Sequence, residues 1–211
     1  MEMVKLFKNK ILFIVSFLTL IGCNDSNTLT NNYFLGDSIV KRWDIKQYFP
    51  TNQTINLGIS GATIEQIRVF SSQLNYKNDN CFLLIGTNNC LEQTEQGLTE
   101  NQIYSNIKSS YENLFLTLND KFNKIYVISL LPLGHQIDSS KGKYFMTLYP
   151  KINNWLNTYL SEFGNKYYLI NVYNLFLDNE GYMSNMYSLD GVHPNNFGYS
   201  IISMAIIKYV Q

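Results

Sequence analysis

From Asn31 onward, short β-branched or aromatic runs alternate with longer stretches of helical period, and no long linker or internal repeat interrupts the series. This alternation confines the chain to few architectures. A strand that returns parallel to its neighbour needs a crossover of a dozen or more residues, which a helix supplies, and each such unit helps cover the sheet on both faces. The candidate strands are Tyr33 to Leu35, Thr54 to Leu57, Cys81 to Ile85, Lys124 to Ser129 and Tyr167 to Val172. Helical periods run over Ile39 to Tyr48, Ile64 to Leu74, Glu100 to Leu118, Ile152 to Phe163 and Asn195 to Val210. Thr99 and Gln102 have the spacing of a capping box for the third of these. The pattern predicts an α/β fold: a single flavodoxin-like, three-layer α/β/α domain over residues 33–211 with a five-stranded parallel sheet.

The segment ahead of this domain reads as an address. Lys5, Lys8 and Lys10 precede an apolar run from Ile11 to Gly22, too short for a membrane span, which needs about 20 residues. Residues 1–22 are therefore expected to be an export signal. Its end, Leu20-Ile21-Gly22-Cys23, resembles the lipobox of bacterial lipoproteins. That resemblance implies lipid on Cys23, a polar tether over 23–32, and a domain held at a membrane in the bacterial cell envelope. Cys81 and Cys90 then remain. They flank a strand-like run and should lie beyond the roughly 7 Å Cα limit for a disulfide, so Cys81 is expected in the core and Cys90 as a loop thiol.

Sixteen Lys+Arg against 16 Asp+Glu give no net charge, so no basic stripe draws a polyanion and no nucleic-acid partner is expected. A hydrophobic fraction of 45% with 15% charged excludes a charged disordered chain. No His/Cys/Glu group has metal-ligand spacing, and no phosphate loop or dinucleotide fingerprint occurs, so neither metal nor cofactor is expected.

In an open parallel sheet the ligand crevice lies outside the carboxyl ends of the strands. Here the first strand runs into Gly36-Asp37-Ser38, the second into Asn56-Leu57-Gly58-Ile59-Ser60-Gly61 and the third into Gly86-Thr87-Asn88-Asn89. Asp190-Gly191-Val192-His193 follows the fifth strand and precedes the last helix. These are the parts of an acyl-transfer site. A serine hydroxyl becomes a useful nucleophile when an imidazole takes its proton, which assigns Ser38 and His193. Asp190, three residues earlier, is placed to hold the other ring nitrogen. The Ser38 and Gly58 backbone N–H groups and the Asn88 amide are the expected oxyanion donors.

The four segments resemble the signature blocks of the SGNH hydrolases, or GDSL lipase/acylhydrolase family, in order and spacing over the whole domain. The resemblance implies Ser38 as nucleophile, Gly58 and Asn88 as oxyanion donors, and Asp190 with His193 as the rest of a triad. Gly86-Thr87-Asn88-Asn89 and Leu130-Leu131-Pro132-Leu133-Gly134 are similar to the branch containing platelet-activating-factor acetylhydrolase subunits, which implies a short acyl group. The expected activity is hydrolysis of a small-molecule, glycan or lipid ester through an acyl-serine intermediate. The alternative is a surface-anchored glycan-binding module that keeps the fold without turnover. Two positions depart from the common pattern: Ile39 stands for Leu and Asn89 for Asp.

Several residues compete for roles. Ser60, in Gly58-Ile59-Ser60-Gly61-Ala62, nearly matches a nucleophile elbow, and otherwise is expected to brace its own loop. His135, with Asp138 nearby, is expected as an exposed loop histidine, and Asp37 as a structural acceptor for the turn before Ser38. The connection from Leu131 to Thr147 and the segment Leu177 to Ser188, with Tyr182, Met183, Met186 and Tyr187, are expected to wall the pocket.

Overall fold

The computed structural model describes residues 30–137 and 144–210. Five parallel strands form one sheet, β1 (Asn32–Gly36), β2 (Thr54–Gly58), β3 (Tyr76–Leu84), β4 (Phe122–Ile128) and β5 (Tyr167–Ile170), in the order β2-β1-β3-β4-β5. The helices are α1 (Ser38–Arg42), α2 (Ile45–Tyr48), α3 (Ile64–Ser72), α4 (Thr87–Glu95), α5 (Glu100–Leu118), α6 (Phe145–Ser161) and α7 (Asn196–Ile206). Chain order reverses at β1, whose neighbours are β2 and β3, and the crevice of a doubly wound sheet opens at this switch point.

Side-chain alternation along the strands sorts the core into two halves. Tyr33, Leu35, Cys81, Leu83, Ile125 and Val127 face the layer containing α3, α5 and α6. Phe34, Phe82, Leu84, Tyr126 and Ile128 face α1, α2 and α7, with Trp43, Tyr199 and Ile202 packed among them. On this second face Phe34, Phe82, Tyr126 and Tyr168 sit opposite one another in register and stack at successive centroid separations of 4.8, 4.9 and 5.3 Å. Each such pair adds about 0.5–1.5 kcal/mol beyond the area it buries, so part of the aromatic content serves to clamp the sheet.

Every expected strand forms, with shifted ends. β3 starts five residues early because Tyr76 pairs with Phe122 across a register irregularity, which carries the polar Lys77-Asn78-Asp79-Asn80 stretch into the strand. Asn32, expected as the end of the tether, is buried in β1. The first helical stretch breaks into α1 and α2 at Trp43-Asp44. α6 begins at Phe145 rather than Ile152: Pro150 suggests a boundary, but burial of Phe145, Leu148 and Tyr149 holds the first turns on the sheet. The capping box of Thr99 and Gln102 is present, and Thr63 with Gln66 forms a second.

α4 is the element missing from the sequence reading. Its residues, TNNCLEQTE, are mostly polar and show little periodicity, yet Cys90 is fully buried on its inner face. Cys90 is thus a core residue of a helix, which corrects its expected loop position. Cys81 is buried in β3, and both thiols are free. Burial raises the pKa of each well above that of an ordinary thiol. Residues 1–29, which include Cys23, the expected export signal and most of the expected tether, lie outside the described residues, as does Asp138. Among the described residues no helix is long and apolar enough to cross a membrane.

Candidate active site

β1 ends at Gly36 and the chain turns directly into α1, so Ser38 is the first helical residue at the carboxyl edge of the sheet. Asp37 caps this helix, its Oδ1 accepting the Ile39 N–H at 2.9 Å. That is the structural role expected of it. Its Oδ2 is buried and takes no hydrogen bond from a described residue. Burial pushes the acid up to about 7, against the lowering effect of the backbone N–H groups.

Ser38 and His193 are 155 residues apart, and their Oγ and Nε2 atoms lie 2.8 Å from each other. On the other side of the ring, Nδ1 is 2.7 Å from Asp190 Oδ2. Asp190 Oδ1 accepts the His193 N–H at 2.8 Å, the Val192 N–H at 2.9 Å and the Ser188 hydroxyl at 3.2 Å. Partial burial works to raise the Asp190 acid, but the two N–H groups, the ring bond and the imidazole charge outweigh it and hold the carboxyl well below its usual range. An ionised carboxylate can only accept, so Nδ1 carries the ring proton and Nε2 is left to accept from the Ser38 hydroxyl. The chain of bonds therefore runs in the direction a general base requires.

Sequence reasoning missed one charged neighbour. Arg42 stands four residues after Ser38 on α1, and its Nη1 lies 3.7 Å from Asp190 Oδ2. The i, i+4 spacing that puts both on one helix face was the available signal. Both side chains are more than half exposed, so the pair contributes little stability.

Asn88, in the first turn of α4, donates from Nδ2 to the Ala62 carbonyl at 2.9 Å, which leaves its second amide hydrogen available. Gly58 does not present a free donor. Its N–H is committed to Asn56 Oδ1 at 2.9 Å, and the Asn56 amide in turn holds the Val40 and Trp43 carbonyls. Glycine at 58 serves packing: a Cβ there would meet Lys41 N at 2.3 Å and Val40 C at 2.8 Å. Gly61, three residues on, is exposed in a left-handed conformation, φ 73°, with open space where a Cβ would point, and its N–H takes no acceptor among the described residues.

The competing serine and histidine are not assembled. Ser60 is exposed, and the imidazole that would activate it is engaged by Ser38. Nor does Ser60 brace its loop; Asn56 does. His135 pairs with Asp178 at 3.2 Å and Glu180 at 3.6 Å and stacks on Tyr182, with more than 40% of its side chain exposed. Met183 is buried rather than lining a pocket, Tyr187 packs on Phe176, and Met186, Leu189 and Phe197 are exposed. Among the described residues no group of His, Cys, Asp or Glu could hold a metal ion.

The GDSL-like lipase/acylhydrolase family profile matches residues 34–201, about four fifths of the chain. The chain belongs to this family. It is an ester hydrolase with the five-stranded parallel sheet and flanking helices found in other family members. A Streptococcus pneumonia protein provisionally designated a platelet activating factor is 24% identical, with 89% of this chain and 87% of that one covered and a TM-score of 0.63. An acetylxylan esterase from Geobacillus stearothermophilus, solved as a catalytic mutant, is 16% identical over 86% of this chain and 94% of its own, with a TM-score of 0.58. By sequence, the N-acylneuraminate cytidylyltransferase of Escherichia coli is 23% identical over 192 residues, covering 89% of this acylhydrolase. The acylhydrolase spans 42% of that relative's length.

Proposed function

We propose that this acylhydrolase cleaves short-chain, chiefly acetyl, esters of carbohydrates through an acyl-serine intermediate. The observation that carries the mechanism is the continuous bonded chain from Ser38 Oγ through the His193 ring to Asp190. His193 Nε2 takes the Ser38 proton as Oγ attacks the ester carbonyl, and Asp190 stabilises the imidazolium that results. The oxyanion is met by the Ser38 N–H, the free hydrogen of the Asn88 amide and the Gly61 N–H, which replaces the committed Gly58 donor. Collapse of the intermediate expels the alcohol, protonated by His193. The same imidazole then deprotonates a water that frees the acid from Ser38.

A carbohydrate ester is favoured by the acetylxylan esterase among the proteins sharing the fold. Lipid attached at Cys23 would agree with this choice. Asn31 is bonded to Asp79 at the amino edge of the sheet, whereas Ser38 lies beyond the carboxyl edge. The length of β1 alone, five residues at roughly 3.3 Å each, separates the point where the tether enters from the site. Such an anchor leaves the reactive rim facing the aqueous side of an envelope membrane, where glycans are reached more readily than the anchoring lipids.

The test compares the soluble wild-type domain with its Ser38→Ala variant. Wild type reacts with a fluorophosphonate and hydrolyses acetylated oligosaccharides faster than long-chain acyl esters; Ser38→Ala does neither while its melting temperature stays within a few degrees. Labelling of the S38A variant would overturn the mechanism, and preference for long acyl chains would overturn the substrate class.

A further inference from the structure

Behind Asn88 lies a set of polar contacts that the reaction above does not use. Asn89, nearly fully buried in the first turn of α4, accepts the Ile64 N–H with Oδ1 at 2.8 Å and donates from Nδ2 to Glu65 Oε2 at 2.7 Å. The other Glu65 oxygen takes the Ser110 hydroxyl from α5. Burial works to raise the Glu65 acid, but the Ser110 and Asn89 hydrogen bonds outweigh it and hold the carboxyl below its ordinary value. Glu65 enters no ion pair among the described residues. Its partners come from α4 and α5 and, within its own turn, from Thr63.

Two successive asparagines therefore grip one short turn. Asn88 holds the Ala62 carbonyl, and Asn89 holds the Ile64 N–H. Between them they fix α4 against the segment that begins at Gly61, so the spacing between the Asn88 amide and the Gly61 N–H is set here. We propose that Asn89, Glu65 and Ser110 form a positioning brace for the oxyanion donors, in which the amide at 89 is required by the carboxylate at 65. The proposal rests on Asn88 being such a donor. An aspartate at 89, the family's common residue, would keep the Ile64 bond but turn an oxygen toward Glu65 Oε2 where an N–H now donates. One of the two acids must then hold a proton or the turn must move.

The experiment measures kcat and KM for p-nitrophenyl acetate between pH 5 and 9 in N88A, N89D, E65Q, E65Q/N89D and Ser110→Ala. N89D is expected to lose about tenfold or more in kcat at pH 8 with KM within about twofold, and to recover relative to wild type as the pH falls and the acid pair takes up a proton. E65Q/N89D restores the bond with donor and acceptor exchanged and should return kcat to within about threefold of wild type across the range. Ser110→Ala, at a partly exposed site outside both turns, reports on the brace even if N89D does not fold, with kcat lowered roughly two- to fivefold at unchanged KM. No coupling between positions 65 and 89, or no effect of Ser110→Ala, overturns the brace when N88A has lost about 100-fold or more. Full activity in N88A overturns the reading of the site and the brace with it.

Discussion

Replacing Asp190 with asparagine tests the direction of every bond in the triad. The D190N side chain can keep its Oδ1 as acceptor for the His193 and Val192 N–H groups and the Ser188 hydroxyl, so the loop should remain as it is. Its amide, however, presents hydrogens to His193 Nδ1 where a carboxylate oxygen now stands 2.7 Å away. The ring must then carry its proton on Nε2, which points at Ser38 and can no longer accept. Reaction requires the other tautomer, at the loss of a charge-assisted hydrogen bond of about 1.5–3 kcal/mol, and proceeds without a negative charge beside the imidazolium. Together these should cost roughly 10³- to 10⁴-fold in kcat, or about 4–5.5 kcal/mol of barrier. Arg42 adds little to this figure, because it lies 3.7 Å from Asp190 and is largely exposed. The assay is kcat on p-nitrophenyl acetate together with the ¹⁵N shifts of labelled His193, and the melting temperature should stay within about 3 °C. A kcat within tenfold of wild type, or a ring that still carries its proton on Nδ1, would refute the reasoning.

Asn88→Ala removes one oxyanion donor and the grip on Ala62; kcat should fall about 10²- to 10³-fold with KM little changed, and a loss seen in KM alone would count against the assignment. Gly58→Ala drives a methyl into the Val40 and Lys41 backbone of the helix that carries Ser38, so urea unfolding should show a loss of about 1–3 kcal/mol or more, whereas a neutral result would mean that α1 can recede. Asp37 ionises near 7 in the fold against about 3.9 in an unfolded chain, so between those values the folded state keeps a proton that the unfolded state has released. Its contribution to stability is therefore complete below about pH 4 and is lost as pH rises through about 7. Asp37→Asn should gain on wild type by about 5–10 °C in melting temperature between pH 5 and pH 8; an equal difference at both would contradict the buried acid.

The chain alone specifies the sheet and its layers, and it points to Ser38, His193 and Asp190, which the fold joins in one bonded chain. Strand-by-strand alternation is a local signal, and serine, carboxylate and imidazole are the few groups able to do this chemistry, so their places after strands are visible in one dimension. What it left open were contacts whose meaning depends on a distant partner. α4 is too polar to show a face, and becomes a helix because Cys90 is buried against Tyr149 and the sheet. Gly58 stands as the expected glycine donor until Asn56, two residues before it, is seen to occupy its N–H, while the Gly61 N–H, which the sequence did not single out, takes no acceptor among the described residues. Asn89 looks like a departure from the family until Glu65 is found opposite it. Residue order determined which groups were available; only folding decided which of their hydrogens were already spent, because a hydrogen bond is settled by positions in space and not along the chain.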